Sequence, residues 1–255
     1  MAENFHGSKK KIQRAAKHMQ DLNAWIEASD FYLLSVNQDA DRNVWLTLFY
    51  DPTALPTEDA AVMIGDALHN LRSALDILWN DTIVECGGTP TKWSRFPIRD
   101  TADELKAPLS NLLEKQQIEA EVQNLLLNTV KPYKAGNYFI WALDDLNVRD
   151  KHQLLIPVLK IMNIWDVSFE DENGKEWPLN NILIADEPWT IRLKEFWGKN
   201  LKMKNKGHAA SNIFFDIGFP FEGKPITPAL DGIAKEVSRT VQAFETLLFG
   251  EIREL

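Results

Sequence analysis

The sequence predicts an α+β protein, in which a helical core carries an N-terminal β-hairpin and a C-terminal antiparallel sheet closed by a helix. Three observations support this fold class. Apolar residues recur at helical spacing through the first half, two β-rich runs flank a turn near residue 40, and short β-favourable runs follow residue 160. We expect two units, 1–160 and 161–255, with one continuous domain as the alternative.

The N-terminal region predicts a helix followed by a hairpin. Ser8 is the expected N-cap of the first helix, whose apolar residues recur at helical spacing over 12–26. The β-rich runs 31–36 and 44–50 are expected to pair as antiparallel strands, because the Asn- and Asp-rich stretch 37–43 between them has turn chemistry.

The middle of the chain predicts two further helical stretches. Thr57 precedes two acidic residues and caps a helix that runs to about Asn80, and the glycines of 87–90 end this unit. The run 103–127 is largely helical, with Pro108 as an interruption or a new first turn.

The C-terminal part predicts an antiparallel meander and a closing helix. The expected strands are 164–169, 182–185, 190–196 and 212–219. Thr227 as N-cap and Pro228 at the first helical position open the last helix. Its predicted buried stripe is Ile233, Val237, Val241, Phe244 and Leu248.

Composition narrows the function classes. The chain has 28 Lys and Arg against 37 Asp and Glu, a formal net charge of −9, which disfavours RNA as a partner. Cys86 is the single cysteine, so no intrachain disulfide forms, and no apolar run approaches the roughly 20 residues of a membrane span. The first residues lack the apolar region of a signal peptide. We therefore expect a cytoplasmic protein that does not bind membranes.

The second predicted helix carries two contrasting faces over residues 64–78. One face is apolar: Ile64, Leu68, Leu71, Leu75 and Leu78. The other groups polar side chains: Asp66, His69, Asn70 and Ser73, flanked by Arg72 and Asp76. Polar, ionisable side chains on an otherwise core-forming helix mark a candidate site.

A second polar segment spans 141–152. If it is helical, Asp145, Arg149 and His152 lie on one face and form a second half-site. We expect the two segments to converge, because each has leftover polar groups that need partners. The candidate catalytic residues are His69, Arg72 and His152. The candidate binding residues are Asp66, Asn70, Ser73, Asp76, Arg149 and Asp150.

Three interpretations fit these residue types. His exchanges a proton near neutral pH and Arg holds a phosphate, a pair suited to phosphodiester cleavage. In the structural alternative, His69 and Asn70 bond to helix ends or loops, and Arg72 pairs with Asp76 one turn on.

A metal site is the third alternative. Its ligands would be Asp66, His69, Asp150 and His152. Arg72, Arg149 and Lys151 would repel a cation there, so neither a metal nor a cofactor is predicted.

Four motifs carry a family resemblance. They are the segment 64–76, Phe96-Pro97-Ile98, Lys131-Pro132-Tyr133 and Asp150-Lys151-His152. In this order they resemble a family of uncharacterised bacterial proteins, over about residues 10–160. More remotely, a helix with Arg, four spacers and His is similar to HEPN ribonucleases, helical domains that dimerise for metal-independent RNA cleavage. Counting from Arg72, the position of that His is occupied by Ile77.

Three functions follow. The first is a binding protein without catalysis, for an unidentified protein or small-molecule ligand. The second is a HEPN-like endoribonuclease that uses His and Arg as a homodimer, and the third is a metal-dependent hydrolase. An anion between Arg72 and the histidines would favour the nuclease, three protein ligands on a metal would favour the hydrolase, and a cluster closed by internal hydrogen bonds would favour the binding protein.

Overall fold

The computed structural model describes residues 4–28, 33–41, 43–49, 57–152, 158–179, 182–183, 189–194 and 199–250. Its helices are α1 (His6–Ala28), α2 (Thr57–Glu85), α3 (Ala102–Glu114), α4 (Ala120–Leu125), α5 (Tyr138–Asp150) and α6 (Ile226–Phe249). Its strands are β1 (Leu33–Gln38), β2 (Val44–Phe49), β3 (Val158–Asp171), β4 (Glu176–Leu179), β5 (Ile182–Leu183), β6 (Trp189–Arg192) and β7 (Leu201–Phe214). The α+β class and the N-terminal hairpin are confirmed.

Helix α2 lies at the centre of the helical core and packs against α1, α5 and α6. Its predicted apolar face is fully buried: Ile64, Leu68, Leu71, Leu75 and Leu78. The predicted stripe of α6 is also confirmed, because Ile233, Val237 and Phe244 are fully buried in the same core. An ion pair of 2.8 Å between Lys9 Nζ and Glu245 Oε1 joins α1 to α6.

The strands form two antiparallel sheets. In the first, the order is β1-β2-β6. In the second, β7 pairs along one edge of β3, while β4 and β5 pair with successive parts of its other edge. Apolar residues of β2 and β3 meet in a separate small core, which includes Leu46, Val167 and Phe169.

This topology corrects the predicted meander. β6 leaves the C-terminal sheet and pairs with β2, from Trp45 opposite Arg192 to Leu48 opposite Trp189. The predicted strand 212–219 starts much earlier, as β7, and ends at Phe214, while β4 was not predicted. The predicted strand residues 31–32, 50, 184–185 and 195–196 lie outside the described residues.

Three helix boundaries also differ from prediction. Ser8 is buried within α1, which begins at His6. α6 begins at Ile226, and the Thr227 hydroxyl donates to Asn23 Oδ1 on α1 rather than capping its own helix. Pro108 lies inside α3, and the helical run breaks later, where Gln116 adopts a φ of +54° in the left-handed region.

Residues before 160 contact residues after 160 in both the helical core and the first sheet. α6 packs on α1 and α2, and β6 pairs with β2.

Among the helices that the structure describes, none is both long enough and apolar enough to cross a membrane.

Candidate functional site

Arg72 is the centre of the polar cluster and is buried, with 7% of its surface exposed. Its Nε donates to Asp144 Oδ1 on α5 at 2.6 Å, and its Nη1 donates to Asp76 Oδ1 at 2.5 Å. Its Nη2 donates to the backbone carbonyl of Phe96 at 3.2 Å. One guanidinium therefore joins α2, α5 and the segment before α3.

The same cluster holds Phe96 from both sides of its backbone. Asp76 Oδ1 accepts the Phe96 N–H at 2.9 Å, while Arg72 binds the Phe96 carbonyl. The buried Phe96 ring packs edge-on against Trp79 and Phe244. Because a buried backbone group without a partner is costly, this pair of contacts fixes where the irregular segment enters the core.

Asp66 and Asn70 face α1 instead of α5. His18 Nδ1 lies 3.8 Å from Asp66 Oδ2, and Lys11 Nζ donates to Asn70 Oδ1 at 3.3 Å. The Asn70 side-chain amide also donates to the backbone carbonyl of Asp66 at 2.8 Å. These two candidate binding residues therefore connect neighbouring helices.

Asp150 at the end of α5 lies against Gly65 of α2. A Cβ placed at Gly65 would lie 2.5 Å from Asp150 Oδ2, too close for any side chain without displacement of the carboxylate. Gly65 meets Asp150 while Arg72 meets Asp144, so α2 and α5 run antiparallel. The absence of a side chain at Gly65 permits this close approach.

Arg149 is not part of the Arg72 network and contacts other residues of the protein. Its Nε lies 2.7 Å from Asp145 Oδ2, its Nη1 donates to the carbonyl of Gly218 at 2.9 Å, and its guanidinium stacks over the Phe219 ring. His152 lies just beyond the end of α5, where its backbone N–H donates to Arg149. The predicted helical face of Asp145, Arg149 and His152 is therefore incomplete, because α5 ends at Asp150, two residues before His152.

The remaining candidates are His69, His152 and Ser73. His69 and His152 are exposed and Ser73 is half-buried. The structure thus joins Arg72 and Asp76 in one network with Asp144, places Asp66 and Asn70 against α1, and places Asp150 beside Gly65. Sequence reasoning missed Asp144, since a partner on another helix leaves no local signal beyond its carboxylate.

A cleft was also missed. About 760 Å³ in volume, it opens between α3, the C-terminal part of α2 and the segment 89–99. The cations Arg95, Arg99 and Lys115 line it, together with Trp93, which is 74% exposed. The available sequence signal was two Arg and one Trp within an irregular passage beside Phe96-Pro97-Ile98.

The His, Cys, Asp and Glu side chains of the described ranges are the candidates for metal and thiol chemistry. No group of three or more His, Cys, Asp or Glu side chains there is arranged to hold a metal ion. Burial raises the pKa of the Cys86 thiol above its ordinary value. The thiol is therefore protonated at neutral pH and is a poor nucleophile.

Comparisons with known proteins gave no match: no family model, curated protein or solved structure matches the chain.

Proposed function

We propose that this chain is a partner- or ligand-binding protein without catalytic activity, in which the predicted polar cluster serves the architecture. The observation that carries the proposal is the state of Arg72. Its guanidinium is buried, and its Nε, Nη1 and Nη2 each donate to a protein acceptor. An arginine that stabilises a phosphodiester needs donors directed at the substrate, and these three are already used.

Asn70 and Asp76 support the same conclusion, because the side chain of each has a hydrogen-bond partner in the protein. A cluster closed by internal hydrogen bonds was the arrangement expected of a binding protein. We further propose a cytoplasmic location. The chain has a single cysteine and so forms no intrachain disulfide, as is usual for proteins of reducing compartments.

The HEPN-like endoribonuclease is the second candidate, and one observation favours it. His69 and His152 are both exposed, so an RNA strand could reach either imidazole. In this alternative two copies of the chain would supply the histidines as a homodimer. A metal-dependent hydrolase is the third candidate, and added Mn²⁺ or Zn²⁺ tests it.

An RNA cleavage assay separates these functions. We expect purified protein to leave single-stranded RNA intact in EDTA, because the Arg72 guanidinium is buried and three of its five N–H groups already donate to protein acceptors. We also expect the variants His69→Ala and His152→Ala to change the free energy of unfolding by less than about 0.5 kcal/mol, since both side chains are exposed.

The contradicting result is specific. EDTA-resistant cleavage that falls by about 10²–10⁴ in each His variant, with folding intact, would make the chain a metal-independent nuclease. Cleavage only with added Mn²⁺ or Zn²⁺ would make it a hydrolase. No cleavage under either condition supports the binding protein.

A further inference from the structure

The cleft beside Phe96 differs in charge from the rest of the molecule. The chain carries nine more acidic than basic residues, yet the lining includes Arg95, Arg99 and Lys115 and no Asp or Glu among its described residues. Chance placement would bring carboxylates into such a cleft. Three cations without them create a local positive potential that attracts an anion.

The donors of these cations are largely available. Arg99 Nη1 donates to the carbonyl of Ile98 at 2.7 Å, which leaves its other N–H groups for a ligand. In the part of the chain that the structure describes, none of the three forms an ion pair with a carboxylate. Arg95 and Lys115 are exposed, so a ligand can reach them. Guanidinium groups bind phosphate or carboxylate through paired hydrogen bonds.

Trp93 provides the second half of the site. A large aromatic side chain with 74% of its surface exposed is unusual, since indole is ordinarily buried. A short turn holds it in place: the Thr91 N–H donates to Ser94 Oγ at 2.8 Å, and the Trp93 N–H donates to Thr91 Oγ1 at 3.2 Å. The ring is therefore presented on a fixed backbone, which lowers the entropic cost of stacking a ligand on it.

The lining of the cleft includes apolar side chains beside polar ones such as Asn111 and Gln117. Trp79 and Ile83 of α2 line it and are almost fully buried, and Pro97, Pro108 and Leu112 complete this surface. A volume of about 760 Å³ lies within the range of small-molecule pockets, roughly 300–1,000 Å³. The hydrogen bonds of Arg72 and Asp76 to Phe96 fix the segment that carries Arg95, Pro97 and Arg99.

We propose that this cleft binds a small organic anion that carries a planar aromatic ring. Lys92 Nζ lies over one face of the Trp93 indole, 5.0 Å from the ring centroid, so the ligand ring stacks on the other face. The anionic group, a phosphate or a carboxylate, binds Arg95, Arg99 and Lys115. This inference rests on the proposed function, since it gives the binding protein its site and the chemical class of its ligand.

Calorimetric titration with defined probes tests the class of ligand. Phenyl phosphate and adenosine 5′-monophosphate carry a ring and a phosphate, 1-naphthoate carries a ring and a carboxylate, and adenosine and inorganic phosphate carry one half each. We expect at least one ring-bearing anion to bind with a Kd below about 1 mM at low salt, and each half at least tenfold more weakly. Binding should weaken with added salt, because exposed charges are screened.

Variants locate the site. Arg95→Ala, Lys115→Ala and Trp93→Ala are each expected to weaken the bound probe by about tenfold, and Trp93→Phe should recover part of the loss. The matched control is Arg14→Ala, which removes an exposed arginine of α1 and should change affinity less than twofold. All of the replaced side chains are exposed, so the fold is expected to persist.

The outcomes separate this inference from the proposed function. If no ring-bearing anion binds with a Kd below 1 mM, or if Arg95→Ala and Arg14→Ala change the affinity equally, the cleft is not the site. The binding-protein proposal would then be judged by the cleavage assay alone. If a probe binds and phenyl phosphate also releases inorganic phosphate, the cleft stands and the absence of catalysis is wrong.

Discussion

Leu75→Ala is expected to lower the free energy of unfolding by about 2–5 kcal/mol. Leu75 has no exposed surface and lies within the helical core, between the buried Leu71 and Leu78 of the same helix. Removal of its isobutyl group loses the transfer free energy and leaves a cavity that the surrounding core closes only partly, because protein interiors are close-packed. Urea denaturation measures the change.

Val62→Ala is the matched control on the same helix. Val62 is 51% exposed, so loss of its methyl groups should change stability by less than about 0.5 kcal/mol. Equal effects of Leu75→Ala and Val62→Ala would show that the apolar stripe does not face the core. A large decrease in the m value of Leu75→Ala, the slope of the free energy of unfolding against urea concentration, would instead indicate that the transition is no longer two-state.

Periodicity explains why the buried face of α2 could be predicted. A helix brings every third or fourth residue to one side, so the spacing from Ile64 to Leu78 determines which side chains meet the core. Helix starts depend on finer geometry. Ser8 and Thr227 are both good capping residues, yet each lies inside a helix, because a cap requires a backbone conformation that side-chain type alone does not determine.

Strand pairing was harder to predict than strand content. β6 pairs with β2 across more than 140 residues of sequence, and no local pattern encodes such a partner. Only residues 212–214 of β7 were predicted as strand, because Lys202, Lys204 and Lys206 alternate along the exposed side of its earlier part. Lysine is depleted in strands generally, but it suits the solvent face of a half-exposed sheet.

The polar cluster was predicted in its residue types but only partly in its partners. The pairing of Arg72 with Asp76 follows from a separation of four residues on one helix. Asp144 and the Phe96 carbonyl reach Arg72 only through tertiary packing. A polar face on a helix therefore does not distinguish a surface open to a ligand from a face already covered by other helices.

Arg72→Ala is expected to destabilise the protein by about 2–4 kcal/mol, somewhat less than the loss of one partner from a fully buried pair. Removal of the guanidinium leaves two neighbouring carboxylates, Asp76 and Asp144, without their shared cation and leaves the Phe96 carbonyl without its donor. Both carboxylate side chains are about one-third exposed, which allows water to recover part of the loss. Urea denaturation again gives the value.

Arg239→Ala is the control, because it removes an exposed ion pair of similar length, with Glu236 on α6, and should cost less than about 1 kcal/mol. Arg72→Lys should lie between the two, since a single ammonium keeps the charge but cannot direct donors at three separate acceptors. A cycle that combines Arg72→Ala with Asp144→Ala should give a coupling energy of about 0.5–3 kcal/mol, because the pair is in direct contact. If Arg72→Ala costs no more than Arg239→Ala, Arg72 is not an architectural residue. The architectural role that supports the binding protein would then be wrong, and the nuclease would become the better-supported alternative.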